Sequence, residues 1–243
     1  MTPEAPFAQI LGRARDSKRE LERRIAHQAR RQPQWVTSAD ARAIGLQALW
    51  NVLRFAELSL FFVERYLDDP QWWRDIRGFE PTIRQITFEY TAYSQGSKFA
   101  VFHLGTAAFE NASRALLRAV APGTANDGRA EFQGVYTSLL RAHLSFPEED
   151  LALLELVRLV RNTIHNEGLH RPPSDKPASV SYLGVTYDFP ESGPVEFATW
   201  GFVLDRIANL VDLLDRMIQS PRVWAHSAHI PAPWAETLPP SAP

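Results

Sequence analysis

SADARAIGLQALWNVLRFAELSLFFVERY, residues 38–66, is the stretch whose reading decides the fold. Leu46, Leu49, Leu53, Leu60 and Val63 recur at spacings of three, four and seven. That period lines one face of an α-helix and cannot line one face of a strand. Ser38-Ala-Asp-Ala41 ahead of the stripe offers an N-cap, so a helix is predicted over 38–66. On its N-terminal side, residues 5–32 are rich in Ala, Leu, Glu and Arg and lie between Pro3 and Pro33, the composition and punctuation of a second long helix. On its C-terminal side, Asp68-Asp-Pro-Gln-Trp-Trp-Arg-Asp-Ile-Arg-Gly78 carries breakers, and reads as a connection that packs Trp72 and Trp73 onto the core.

Helical signals continue outward. A short helix is predicted from Pro81 to Tyr93, then a break near Gly96, then a helix from Phe99 to Val120 stopped by Pro122 and Gly123. A turn over 123–128 leads to a helix over 129–144. Ser145, with Glu148 and Glu149 in the first turn, starts a helix over 147–167 that Gly168 should stop. Val180, Tyr182, Val185, Tyr187 and Phe189 surround Gly184 with β-branched and aromatic residues, the pattern of a hairpin. Residues 194–220 form a last long helix with Phe202, Ile207, Leu210, Leu213, Leu214 and Met217 on its apolar face. The fold class is therefore mainly all-α, a bundle of long helices with one small β-hairpin insertion. One domain is expected over 1–220, with the basic helix 5–32 packed on it or extending from it. A Pro-rich tail over 221–243 is expected to be disordered or laid over the surface.

A hydrophobic fraction of 45% and a charged fraction of 22% suit a chain with a sizeable core. With no cysteine, disulfides, thiolate metal sites and Cys catalysis are excluded, and a reducing compartment fits. The first residues lack an apolar core of signal-peptide length, and the apolar stretch Leu58 to Val63 is far shorter than a bilayer span. A cytoplasmic protein with no membrane attachment is expected. The net charge of -2 gives no global attraction to nucleic acid, so any RNA contact must be local. From Arg13 to Arg31 basic residues outnumber Asp16, Glu20 and Glu22, a pattern that also suits a solvated helix face.

One constellation could carry chemistry: Arg158-Leu-Val-Arg161-Asn162-Thr-Ile-His165-Asn166-Glu-Gly168. At roughly 100° per residue, Arg158, Arg161, Asn162 and His165 share one helix face, whereas Val157, Val160 and Ile164 point elsewhere. Guanidiniums match phosphate bidentately, and imidazole transfers protons near neutral pH. Glu110, followed by Asn111 and Arg114, lies in an otherwise apolar helix, where a buried carboxylate needs a partner. The arginines of the 147–167 helix are its candidates, which is also the structural alternative to a reactive site.

The string Arg161-Asn162-Thr-Ile-His165-Asn166 at a helix end in an all-helical domain resembles the Arg-Asn...His motif of HEPN domains. That family's interval between Arg and His is longer than the three residues between Arg161 and His165, while six separate Arg158 from His165, so either arginine fits the role. The resemblance implies a helical bundle that dimerises and a metal-independent endoribonuclease of a toxin–antitoxin, defence or RNA-processing system. It implies His165 as general acid or base, Arg161 or Arg158 on the phosphorane charge and Asn162 as polar neighbour. Asn166, Glu110 and Arg114 stand around them as binding residues. Expected partners are a second copy of the chain, an RNA substrate, and an antitoxin or other protein. The alternative is a non-catalytic helical interaction or scaffold protein with a structural Arg/His cluster. His103 reads as a core histidine, and His226 and His229 lack metal-binding neighbours, so no metal and no cofactor is expected. Neither a glycine-rich phosphate loop nor a nucleophile elbow occurs.

Overall fold

A computed structural model of the chain describes residues 6–67, 69–78, 80–124, 131–165, 178–192 and 195–232, without the side chains of Arg77 and His165. Among these residues the chain is mainly α-helical with a single two-stranded sheet. Helix α1 is Phe7–Arg31, α2 is Pro33–Thr37, and α3 is Ala41–Phe62, prolonged by a π-helical turn, Val63–Leu67. Next come α4, Pro70–Arg77, and α5, Ile83–Val120. Helix α6, Phe132–Tyr136, runs on as a π-helix, Thr137–Leu144, and α7 is Glu148–His165. Strands β1, Ala178–Tyr182, and β2, Val185–Phe189, precede α8, Trp200–Gln219, and α9, Pro221–Trp224.

The stripe that opened the sequence reading becomes the centre of the bundle. Helix α3 lies between α1 and α5, and α8 packs across both α3 and α5. Leu46, Leu49, Leu53 and Leu60 are fully buried there. Small residues let the helices approach: a Cβ on Gly45 would stand 3.0 Å from Ala112 Cβ, and one on Gly105 would meet Ile207 Cδ1 at 2.1 Å. The rest of the main core comes from every long helix and from Tyr182 and Phe189 of the hairpin. A second, smaller cluster holds Val63, Leu67 and Trp73 at the α4 end. The core is thus assembled by apolar helix faces, as the periodicity requires.

Several element boundaries differ from expectation. The helix expected from Ser38 starts at Ala41, because Asp40 is the cap: its carboxylate accepts the Arg42 N–H at 2.9 Å. Ser38 instead turns its hydroxyl back to Gln34 O at 2.7 Å and closes α2. The break near Gly96 is absent. Helix α5 runs unbroken through it, because tertiary packing on α3 and α8 supports both halves and one glycine costs only about 1 kcal/mol in a helix. Thr82 starts α5 with a capping box against Gln85. The connection expected over 68–78 contains α4, capped by Asp69 and stopped by Gly78 at φ 71°. Trp73 is buried there as expected, its Nε1 donating to Leu67 O at 3.1 Å. Within the helix expected over 129–144, Phe132–Tyr136 is α-helical and Thr137–Leu144 is π-helical. Helix α8 begins at Trp200 rather than 194, since Thr199 caps it by accepting the Phe202 N–H at 3.2 Å.

The hairpin forms where expected, with Tyr182 paired to Val185 and a two-residue turn at Leu183 and Gly184, both at positive φ. Such a primed turn matches the twist of the strands. Leu183 N–H donates to Glu149 Oε1 at 2.6 Å, which pins the turn to the start of α7. The tail expected to start at Pro221 is instead part of the fold as far as Ala232. Residues Pro221–Trp224 form α9, and Pro231 bridges to Asp40. Trp234 and the residues after Ala232 lie outside the described residues, as do Pro3, Ala5 and the turn at 125–130. Residues Ala41–Leu67 are long and apolar enough to cross a membrane by length and composition, and half of that window is buried in the bundle.

Candidate functional site

Helix α7 has an acidic first turn, Glu148, Glu149 and Asp150, which suits the positive end of the helix. Its apolar face, with Leu153, Leu154, Leu156, Val157 and Val160, is almost fully buried. Arg158, Arg161 and Asn162 are therefore turned away from the core, as the helical period implies. Helix α7 packs on α5 and α6 and against β1, so its flanks are positioned from three sides.

Arg161 reaches α5. Its Nη1 donates to Glu110 Oε2 at 2.5 Å, while Arg114 donates to Glu110 Oε1 through Nε at 3.0 Å and Nη2 at 2.5 Å. The side chains of Glu110, Arg114 and Arg161 are 13%, 16% and 25% exposed. Glu110 thus finds the arginine of α7 that a carboxylate in an apolar helix required, together with a second one from its own helix. Two guanidiniums on one carboxylate leave an unbalanced positive charge. Among the described residues Arg161 spends only Nη1, and its other donors meet no acceptor there.

Arg158 does not join this cluster. It makes a two-pronged pair with Glu155 one turn earlier on α7, Nε to Oε2 at 2.8 Å and Nη2 to Oε1 at 2.6 Å. Tyr136 Oη also donates to Glu155 Oε2, at 2.7 Å. Burial pushes the Glu155 carboxyl up, but the hydrogen bonds from Arg158 and Tyr136 outweigh it and hold the group below its ordinary range. Burial and the adjacent Glu155 carboxylate push the Tyr136 phenol up. Tyr136 and Glu155 belong to the wall of an open groove of about 790 Å³ between α6 with its π-helical extension, α7 and β1. Neither residue was a sequence candidate. The three-residue spacing of Glu155 and Arg158 is an ion-pair signal that the sequence carries, whereas the Tyr136 contact spans 19 residues and has none.

Asn162 is exposed beside Arg161. His165 ends α7 one turn further on, and its side chain and the whole of Asn166 lie outside the described residues. The structure therefore brings together Arg161, Glu110 and Arg114, sets Asn162 next to them, and places Arg158 in a separate pair. His103 is half-buried on α5 and interacts with its surroundings there. No three His, Asp or Glu side chains gather as a metal site among the described residues.

The basic run on α1 is largely neutralised in place. Arg13 pairs with Asp205, Arg15 and Lys18 share Glu57, and Arg24 reaches Asp212 and Asp215 of α8. Helix α1 is packed on α3 and α8 through these pairs and through Ile10, Leu11, Ala14 and Leu21. No family model, no curated protein and no solved structure matches this chain, so its site is defined by its own geometry.

Proposed function

We propose that this protein is a HEPN-like endoribonuclease that works without a metal from the C-terminal turn of α7. The observation that carries this reading is the shared carboxylate, with Glu110 between Arg114 and Arg161. It leaves a fixed positive charge and unused guanidinium donors beside Asn162, one helical turn before His165. A phosphodiester is the anion that such a planar, always-charged fork suits. In the proposed reaction the ribose 2′-oxygen attacks the adjacent phosphorus, and the bond to the 5′-oxygen breaks. His165 takes the 2′-hydroxyl proton or supplies one to the leaving 5′-oxygen. Arg161 steadies the charge on the phosphorane oxygens. Between the two arginines, Arg161 suits this role better, because Arg158 has Nε and Nη2 on Glu155, whereas Arg161 gives only Nη1 to Glu110. A second copy of α7 across a homodimer completes the cleft, and an antitoxin or another protein restrains it. Systems of toxin–antitoxin, defence or RNA-processing type are where such an activity would act, in the cytoplasm.

A second reading has its own observation. Every described arginine of the cluster is ion-paired, which suits a non-catalytic scaffold whose polar side chains tie α7 to α5. Incubating the purified protein with cellular RNA in EDTA separates the two. Under the nuclease reading the wild type cleaves, His165→Ala and Arg161→Ala lose at least about a hundredfold in rate, and Arg158→Ala loses much less. The variants' circular-dichroism spectra should match that of the wild type. Absence of cleavage by the wild type, or an unchanged rate in His165→Ala, leaves the scaffold reading standing.

A further inference from the structure

Away from α7, a cavity of about 350 Å³ lies between the C-terminal half of α1 and the corner formed by α8 and α9. This is within the size range of small-molecule sites, about 300–1,000 Å³. Its charged walls are Arg23, Arg24 and Arg31 against Glu20 and Asp215, with His27 beside them. Most of these charges are already committed. Arg23 pairs with Glu20 at 2.8 Å, and Arg24 pairs with Glu20, Asp212 and Asp215. The charge left over is Arg31, which has no carboxylate partner among the described residues. Its guanidinium lies over the Trp224 ring, 4.4 Å from the centroid. Stacking occupies the flat face of a guanidinium, whereas its N–H donors lie in the plane and stay available. Trp35 meets Trp224 edge-on at 5.0 Å and fixes the indole, so Arg31 is held in place without spending its donors. Gln28, 7% exposed, also lines the cavity, and its Nε2 is buried without a hydrogen-bond partner among the described residues. Buried amides are almost always satisfied, so an unpaired one beside a cavity marks a place where a ligand atom belongs.

We propose that this cavity binds a small organic phosphate of single-nucleotide size, with its phosphate on Arg31 and His27 and its planar ring alongside Trp224. A rotation of the Gln28 amide toward the cavity then gives its Nε2 an acceptor on the ring or sugar. The proposal is independent of the α7 site, since none of these residues touches it.

Calorimetric titration of the full chain with adenosine 5′-monophosphate, adenosine and inorganic phosphate tests it, with tryptophan fluorescence as a second signal. The nucleotide should bind at least about tenfold more tightly than adenosine, and Arg31→Gln should lose roughly tenfold in affinity, as expected for one charge-assisted contact. His27→Ala should lose a smaller factor, and Trp224→Phe should remove the fluorescence response. Arg31 and His27 are exposed at the surface, so these two variants keep the fold, and their helical spectra check it. Failure of both the nucleotide and inorganic phosphate to bind at millimolar concentration overturns the proposal. So does nucleotide binding that Arg31→Gln leaves unchanged. A 5′-phosphorylated oligoribonucleotide that displaces the nucleotide at lower concentration would overturn the free nucleotide as its natural occupant. Cleavage activity at α7 should be unaltered in all three variants, which keeps failure here distinct from failure of the nuclease reading.

Discussion

Asp40 and Arg42 show how much one pair of residues can hold. Both side chains are 1% exposed, and Arg42 Nε and Nη2 donate to the two Asp40 oxygens at 2.8 Å each. Arg42 also donates to the carbonyls of Val223, His226 and Ala228, and its guanidinium lies over Trp35 at 4.0 Å. Asp40 accepts from Ile230 N–H at 2.9 Å, so the pair clasps the segment after α9. Removing one partner leaves the other buried and uncompensated. Arg42→Ala is expected to destabilise the protein by about 3–5 kcal/mol, measured by denaturant unfolding. Burial pushes the Asp40 carboxyl up, but Arg42 and the two backbone N–H groups outweigh it, so its folded pKa lies below the ordinary value. A depressed carboxylate contributes stability above its unfolded pKa of about 3.9, and that contribution is lost as pH falls through the lower folded value. Unfolding free energy should therefore fall on acidification below about pH 4, and Asp40→Asn should flatten part of that slope. At α7, Glu110→Ala should cost more stability than Arg161→Ala, because the first leaves two facing guanidiniums and the second leaves Glu110 still paired with Arg114.

Helix α5 sets the length of the bundle, and its continuity is an element-scale property. Gly96 lies in its interior with nothing within 4 Å of a would-be Cβ. Alanine there should fit without strain and stabilise the protein by about 0.5–1 kcal/mol in thermal or denaturant unfolding. A loss of stability would mean that the helix bends or breaks at that point in solution. Gly45 behaves in the opposite way, because a side chain would press on Ala112 Cβ, which is fixed to the α5 backbone. Gly45→Val should cost about 1–3 kcal/mol by forcing α3 and α5 apart. Two glycines with the same propensity thus differ in sign because one faces open space and the other faces a helix.

On the scale of the whole molecule, α1 and the C-terminal segment close the bundle from opposite ends of the sequence. Arg13 to Asp205 and Arg24 to Asp212 tie α1 to α8, while Arg42 ties α3 to α9 and the residues after it. Truncation after Ser220 removes three acceptors from a buried guanidinium, together with the buried side chains of Val223 and Ile230. A chain ending there should unfold at a melting temperature at least several degrees lower, even though Ser220 ends the last long helix.

The helical class, the central stripe of α3, the acidic first turn of α7 and the hairpin at Gly184 were legible in the sequence, since each depends on local period, charge or turn chemistry, whereas Ser145, expected to cap α7, lies at positive φ and closes the preceding π-helix. Arg158, Arg161 and Asn162 were legible as a shared face for the same reason. Local signals could not decide whether Gly96 breaks a helix, because packing from α3 and α8 outweighs a single glycine's cost. Nor could they join Tyr136 to Glu155, Arg161 to Glu110, or Arg42 to the carbonyls of α9 and the segment after it, separated by 19, 51 and over 180 residues. Helical period orients a side chain about its own axis, but the neighbour that it meets is chosen by how helices pack, and that is settled only when the whole core is buried at once.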